Sequence, residues 1–281
     1  MKPWQFWLII VLGFLIWFLY DQNNRIVISR YKVKSHRLPS SFNGFSVLHI
    51  SDLHNKSFGK HQRSLLKKIH KLKADIIVIT GDLIDRRRTS FEPVLSLLEG
   101  ITQYPVYFVP GNHEAWSSQY GQLKEHLLSK GVRVLENEEV FLRKNDQHVS
   151  LYGLKDPGFY KKVDHKLKSR DLLRANLKDF KPDGFAILLS HRPEYFDVYA
   201  AQGIDISLCG HTHGGQVRLP FLGAILAPHQ GFFPKYSAGM YQIDSSKLFL
   251  SRGLGNSLFP FRIFNHPELI FVTLLMDHQN V

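Results

Sequence analysis

The chain has 281 residues, 44% of them apolar and 21% charged, a formal net charge of +12 and one cysteine, Cys209. That size and balance can bury a full core and exclude a disordered chain, while a lone cysteine excludes an intramolecular disulfide and any cysteine-rich zinc knuckle. Any bound metal must be held by nitrogen and oxygen.

The first element is "WQFWLIIVLGFLIWFLY", Trp4 to Tyr20, whose 17 residues carry no charge and only Gln5 as a strongly polar side chain. At 1.5 Å per residue such a helix spans roughly 25 Å, the lower limit for crossing a bilayer, and Trp4, Trp7, Trp17 and Tyr20 suit the two interfaces. No A-x-A-like cleavage site follows in "DQNNRIVIS", so residues 1–22 are expected to form an uncleaved, single-pass anchor in the cell membrane, with the lipid bilayer as a partner. Lys2 stands alone before it, whereas Arg25, Arg30, Lys32, Lys34 and Arg37 follow it. The positive-inside rule points to a cytoplasmic domain, and a short anchor resembling an export signal points outward, so the side stays open.

Residues 23–44 read as a basic juxtamembrane segment with a first strand, and 45–281 as one domain without repeats or low-complexity tracts. A chain starting near residue 40 is expected to fold. Short runs rich in Ile, Val and Leu then recur, each ending in a polar cluster: "FSVLHISDLH", "ADIIVITGDLID", "YPVYFVPGNHE", "FAILLSHRP" and "IDISLCGHTHGG". Helical patterns at 61–73 and 118–130 separate them, so the runs read as buried strands of an α/β protein. Two stretches concentrate positive charge: Lys60 to Lys73 has six Lys or Arg and no acid, and Lys161 to Lys181 has eight against three. With Leu65, Leu66, Ile69 and Leu72 in the first, both read as solvated helix faces or as contacts with anionic head groups.

In α/β sheets ligands bind beyond the carboxyl ends of the strands, where each polar cluster here falls. The inventory there is Asp52, His54, Asp82, Asp85, Asn112, His113, His191, His211 and His213. It holds no nucleophilic serine or cysteine with an evident base, and no glycine-rich phosphate loop followed by lysine. Carboxylates and imidazoles converging in one crevice would repel or stay unsatisfied without cations, and their number suggests two metals with a bridging aspartate. Taken singly, each histidine reads first as a capped or solvated turn residue. Asp85 alone reads as an N-cap or as a partner of His54 or His113, Glu114 as an outer-layer residue at best, and His49 as a core-strand residue.

The clusters "DLH" (52–54), "GDLID" (81–85), "GNHE" (111–114), "SH" (190–191) and "GHTH" (210–213) resemble, in order and spacing over about residues 45–215, the calcineurin-like metallophosphoesterases. The tail "GQVRLPFLGAILAPHQGFFPKY" and "SRGLGNSLFPFR", with the anchor, is similar to the membrane-anchored bacterial phosphodiesterase branch of that family. The resemblance implies a four-layer α/β/β/α sandwich of two mixed sheets behind an N-terminal transmembrane helix. It also implies that Asp52, His54, Asp82 and His213 hold one divalent metal and Asp82, Asn112, His191 and His211 a second, with Asp82 bridging. His113 matches the histidine that stabilises the transition state or protonates the leaving oxygen, and Asp85 joins it as a catalytic candidate.

The expected activity is hydrolysis of a phosphate ester or anhydride by a metal-bound hydroxide, on an anionic and lipid-linked substrate, with manganese expected first and iron or zinc suited by the same donors. A nuclease or phosphomonoesterase of the same fold is the alternative, although nucleic acid is not the expected partner. An inactive metal-binding scaffold at the membrane is the alternative from another class. Arg86, Arg87 and Arg88 follow "GDLID" and read as phosphate contacts or as a solvated loop, and His229, Arg218, Arg252, Asn256 and Arg262 as candidates to line the pocket.

Overall fold

The computed structural model describes residues 2–160, 169–227, 230–256 and 259–277. Its first sheet holds β1 (Val27–Ser35), β2 (Ser46–Ile50), β3 (Ile76–Thr80), β4 (Val106–Val109), β5 (Arg133–Val134) and β16 (Glu268–Met276), in the order β1-β16-β2-β3-β4-β5. The second holds β6 (Glu138–Lys144), β7 (Gln147–Gly153), β8 (Ala186–Leu189), β9 (Ile206–Cys209), β14 (Gly239–Ile243) and β15 (Ser246–Leu250), in the order β14-β15-β9-β8-β7-β6. Two small hairpins lie between β9 and β14: β10 (Arg218–Leu219) with β11 (Gly223–Ala224), and β12 (Leu226–Ala227) with β13 (Gly231–Phe232). Both large sheets are mixed: β2, β3 and β4 run parallel while β16 opposes β2, and β7, β8 and β9 run parallel while β6 and β14 oppose their neighbours.

The helices are α1 (Pro3–Asn24), α2 (Arg63–Leu72), α3 (Glu92–Glu99), α4 (Asn112–Trp116), α5 (Tyr120–Ser129), α6 (Ser169–Leu177) and α7 (Phe196–Ala201). Strand alternation sorts the core into three slabs. Leu48, Ile50, Ile77 and Ile79 pack on Leu65 and Ile69 of α2, Leu97 of α3 and Leu123 of α5. Val47, Val78 and Val272 face Leu151, Ile187 and Leu208 of the other sheet. Leu188, Leu248 and Leu250 pack on Leu173 of α6 and Phe196 of α7. The result is the expected four-layer α/β/β/α sandwich, in which each fully buried aliphatic contributes roughly 1.5–3 kcal/mol.

β1 pairs along its whole length with β16, from Val27↔Glu268 to Ser35↔Met276, so residues 27–35 form the edge of the first sheet. A chain starting near residue 40 would lack that strand and its buried Val33. Arg30, Lys32 and Lys34 alternate along this edge, where charge discourages pairing with another chain. Arg37 is tied to Asp205 at 3.0 Å. These side chains therefore have structural work that a count of positive charge beside the anchor ignores.

Among the described residues one helix, α1, is long and apolar enough to cross a membrane. The expected helix 61–73 is observed as Arg63–Leu72 and 118–130 as Tyr120–Ser129. Of the basic stretch 161–181, residues 161–168 lie outside the described residues, as does His229.

Candidate metal centre

The five polar clusters follow β2, β3, β4, β8 and β9 directly, and the carboxyl ends of the two sheets meet. Three turns come from one sheet and two from the other, so a crevice between the sheets receives side chains from both. The backbone there is unusual: Asp52, His54, Asp82, His211 and His213 all have φ between 47° and 76°. Left-handed backbone costs a non-glycine residue on the order of 1 kcal/mol and clusters at functional sites. Gly81, at φ 83°, brings two turns together, because a Cβ there would stand 2.5 Å from the Gly111 nitrogen and 2.8 Å from His191 Nδ1.

Two groups of potential ligand atoms, each within 4.8 Å of one another, share Asp82: Asp52, His54, Asp82 and His213, and Asp82, His191 and His211. A third group of the same spacing, His54, Asp85 and His113, lies beside them and shares His54 with the first. In the first, His213 Nε2 lies 3.4 Å from Asp52 Oδ1 and 3.2 Å from His54 Nε2, and His54 Nε2 lies 3.5 Å from Asp82 Oδ2. In the second, His191 Nε2 lies 3.2 Å from Asp82 Oδ2 and 3.2 Å from His211 Nδ1. Asn112 is buried beside them, and its Oδ1 has no hydrogen-bond partner among the described residues.

The donor set fits cations. His191 Nδ1 lies 2.7 Å from the Thr80 carbonyl, which can only accept, so this nitrogen carries a proton. A neutral His191 then aims the Nε2 lone pair at the Asp82 carboxylate, an arrangement that requires positive charge between them. Without a metal the charge is a second proton: burial alone lowers the His191 pKa, but the Asp82 carboxylate overrides it and raises the ring to about 10. Burial likewise raises Asp82, and His191 reverses this and holds it well below the ordinary carboxylate range. Asp52 is raised by burial to about 6, against the opposing charge of His191. Buried carboxylates and imidazoles in such mutual dependence are what a divalent cation stabilises.

Behind the ligand atoms stand residues that the sequence pattern ranked low or missed. The buried Glu114 carboxylate accepts N–H bonds from Asp82 at 2.7 Å, Leu83 at 2.9 Å and Gly111 at 2.8 Å, joining the "GDLID" and "GNHE" turns. The backbone N–H of His113 donates to Asp82 Oδ1 at 2.8 Å, and that of His211 to Asp52 Oδ1 at 3.1 Å. Arg192 is buried, donates to Asp156 Oδ2 at 2.6 Å and places Nη1 3.0 Å from His211 Nε2. Its one sequence signal was its position directly after His191, which spacing alone could not rank.

His113 stands edge-on to His54 with ring centroids 4.4 Å apart, and its Nδ1 accepts the Arg86 N–H at 3.2 Å. Burial lowers its pKa against the pull of Asp82 and Asp85. The Asp85 carboxylate lies 3.7 Å from His113 Nδ1 and is gripped by Arg87 at both the backbone and the guanidinium. Burial would raise Asp85, but the Arg87 bonds hold it at about 2, so it stays ionised. The Arg86 guanidinium lies over the Trp116 ring at 4.6 Å. Arg87 and Arg88, with His54, Asn55, Lys56, Asp85, Asn256 and Pro260, line a cavity of about 430 Å³ at the edge of the ligand cluster.

The tail candidates are mainly structural. Arg262 is fully buried and donates to the carbonyls of Asn265 and Arg252 and to Asn256 Oδ1. Arg218 donates to the Gly214 carbonyl at 3.0 Å, and Arg252 pairs with Glu268. His49 bonds Thr80 Oγ1 at 2.7 Å inside the sandwich, apart from the ligand groups.

Residues 45–215 match the family described as calcineurin-like phosphoesterase. Among similar chains are the uncharacterized metallophosphoesterase YkuE of Bacillus subtilis, 28% identical over 91% of this chain and 87% of that one, and the phosphodiesterase YaeI of Escherichia coli, 29% identical over 82% of each. A transmembrane protein with metallophosphoesterase domain from Bos taurus is 30% identical over 86% of this chain and 55% of its own length. Since the matched span covers more than half of the chain and contains every strand-end cluster, the chain belongs to the calcineurin-like phosphoesterase family and is a metal-dependent phosphoric ester hydrolase.

Proposed function

We propose that the protein is a binuclear phosphodiesterase or pyrophosphatase, held at the membrane by α1, that hydrolyses an anionic, lipid-linked phosphate ester or anhydride. The observation that carries the binuclear reading is the membership of Asp82 in both ligand groups, one reaching His213 and the other His191 and His211. Asp52, His54, Asp82 and His213 would hold one divalent ion and Asp82, Asn112, His191 and His211 the other. Such ions, manganese first and iron or zinc by the same donors, would supply Lewis-acid charge at the phosphoryl oxygens and a water of lowered pKa.

The chain's own groups do the rest. Because His113 Nδ1 accepts the Arg86 N–H, the neutral ring keeps its proton on Nε2, available to the leaving oxygen or to phosphoryl charge. Asp85 remains ionised and holds Arg87, which stands with Lys56 and Arg88 around a cavity large enough for a charged head group. The diester preference is supported by the name of the E. coli relative, and the membrane reading by α1 and the bovine relative. Turnover of bis-p-nitrophenyl phosphate and p-nitrophenyl phosphate, with and without chelator, tests the proposal. The diester should react faster and the chelator should stop it. No turnover with metal bound would favour the inactive scaffold, and a faster monoester would favour a phosphomonoesterase.

A further inference from the structure

The loops beyond the metal centre contradict the usual placement of apolar side chains. Phe221 and Leu222 at the tip between β10 and β11, Phe232 and Phe233 at β13, and Phe261 and Phe264 before β16 are all exposed. Scattered exposed apolar residues need no explanation, but these lie on one connected unit. Arg218 N–H donates to the Ile263 carbonyl at 3.0 Å, Ile225 N–H to Val217 at 3.3 Å and Phe233 N–H to Ile225 at 2.9 Å. Phe221 and Phe264 line the same cavity of about 380 Å³.

This unit touches α1. The Phe264 ring lies 5.4 Å from that of Phe18, which is six residues before the end of the helix at Asn24. At 1.5 Å per residue that is about 9 Å along the helix axis, so a bilayer that surrounds Trp17 and Phe18 also surrounds Phe264. Polar contacts fix the depth: Gln22 Oε1 accepts the Asn265 N–H at 3.2 Å, and Asn23 Oδ1 accepts from Asn256 at 3.0 Å and Arg262 at 3.2 Å. On the other flank, Trp17, Tyr20 and Arg25 share a cavity with Phe58, Gly59 and Ser64, the segment that begins α2. Lys60 and Arg63, neighbours in the chain of Gly59 and Ser64, line a further cavity with Lys67 and offer positive charge to anionic head groups.

We infer that the loops carrying Phe221, Leu222, Phe232, Phe233 and Phe264 form an apolar platform that inserts beside α1 into one leaflet and sets the metal centre at the head-group level. The inference rests on the membrane reading of α1 proposed above, and it adds a second, independent membrane contact. The link to the site is short: Asn265, which bonds Gln22 of α1, also donates to the His213 carbonyl at 2.7 Å. A phosphate carried on a lipid could then reach the ligand cluster without leaving the bilayer.

The test is nitroxide accessibility in the full chain reconstituted into vesicles of phosphatidylethanolamine and phosphatidylglycerol. Cys209 is buried, so labels report on Leu12→Cys in α1, Phe221→Cys on the platform and Phe141→Cys, an exposed site on β6. The expected result is collision with lipid-dissolved oxygen at 12 and 221, and with a water-soluble nickel chelate at 141. Oxygen at 12 with nickel at 221 overturns the platform while leaving the anchor intact. Nickel at all three sites removes the anchor and the platform with it, and a label at 221 shielded from both reagents, as a second copy covering the loops would shield it, also overturns the inference.

Discussion

The turns that hold the ligand cluster and the loops at 218–233 and 259–264 break the inside–outside rule in opposite directions. In the first region Asp52, Asp82, His191, His211 and His213 are charged or polar and buried; in the second, phenylalanines stand in the open. Each inversion is unfavourable for an isolated chain and becomes favourable when a third component is added, a cation in one case and a hydrocarbon phase in the other. The regions adjoin, since the loop bearing His211 and His213 runs directly into β10. A functional surface is thus marked here by side chains on the wrong side of the solvent boundary.

The comparison can be broken most forcefully at His113. His113→Ala removes a group that neither ligand group sharing Asp82 contains, so metal content should be kept while kcat falls on the order of 10² to 10⁴. The loss should be smaller for a nitrophenyl than for an alkyl leaving group if the ring delivers a proton, and a steady-state comparison of the two esters decides. Next in size is Arg192→Lys, which keeps the charge but loses the fork that joins Asp156 to His211. Metal affinity should fall about 10- to 100-fold, measured by competition with a chelator, while the unfolding midpoint of the metal-free protein moves little.

A smaller effect concerns pH. Burial pushes His49 from its ordinary 6.5 to about 3, so the unfolded chain takes up a proton that the folded one refuses. Its contribution is therefore full above pH 6.5 and lost as pH falls toward 3. His49→Leu should flatten the fall in urea midpoint below about pH 6.5 without altering metal content. Smallest of all, Phe221→Ser should leave the rate on a soluble nitrophenyl ester unchanged, because the side chain is fully exposed and outside the ligand cluster. A changed soluble rate would show that the platform shapes the site as well as its depth.

The site's inner residues were legible because each follows a short apolar strand, and parallel strands deliver their ends to one crevice. The α/β class was legible for the same reason, whereas the four layers came only with the family resemblance; in the structure they follow from alternation such as Val47 against Leu48. What escaped depends on contacts far apart in the chain. Arg192 gains meaning only when Asp156 arrives from another turn, and Glu114 only when the Gly81 turn folds against Gly111. The pairing of β1 with β16 joins residues more than 200 positions apart and leaves no local periodicity. The exposure of the phenylalanines left no signal at all, since a sequence shows hydrophobicity and not which phase will meet it.

The most direct test of the account is the metal content of the purified protein and of Asp82→Asn by plasma emission. Asp82 lies in both ligand groups, so the wild type should hold two equivalents per chain, and the substitution should weaken both sites together and abolish turnover. One equivalent in the wild type, or an Asp82→Asn chain that keeps two equivalents and its normal rate, would contradict a bridged pair.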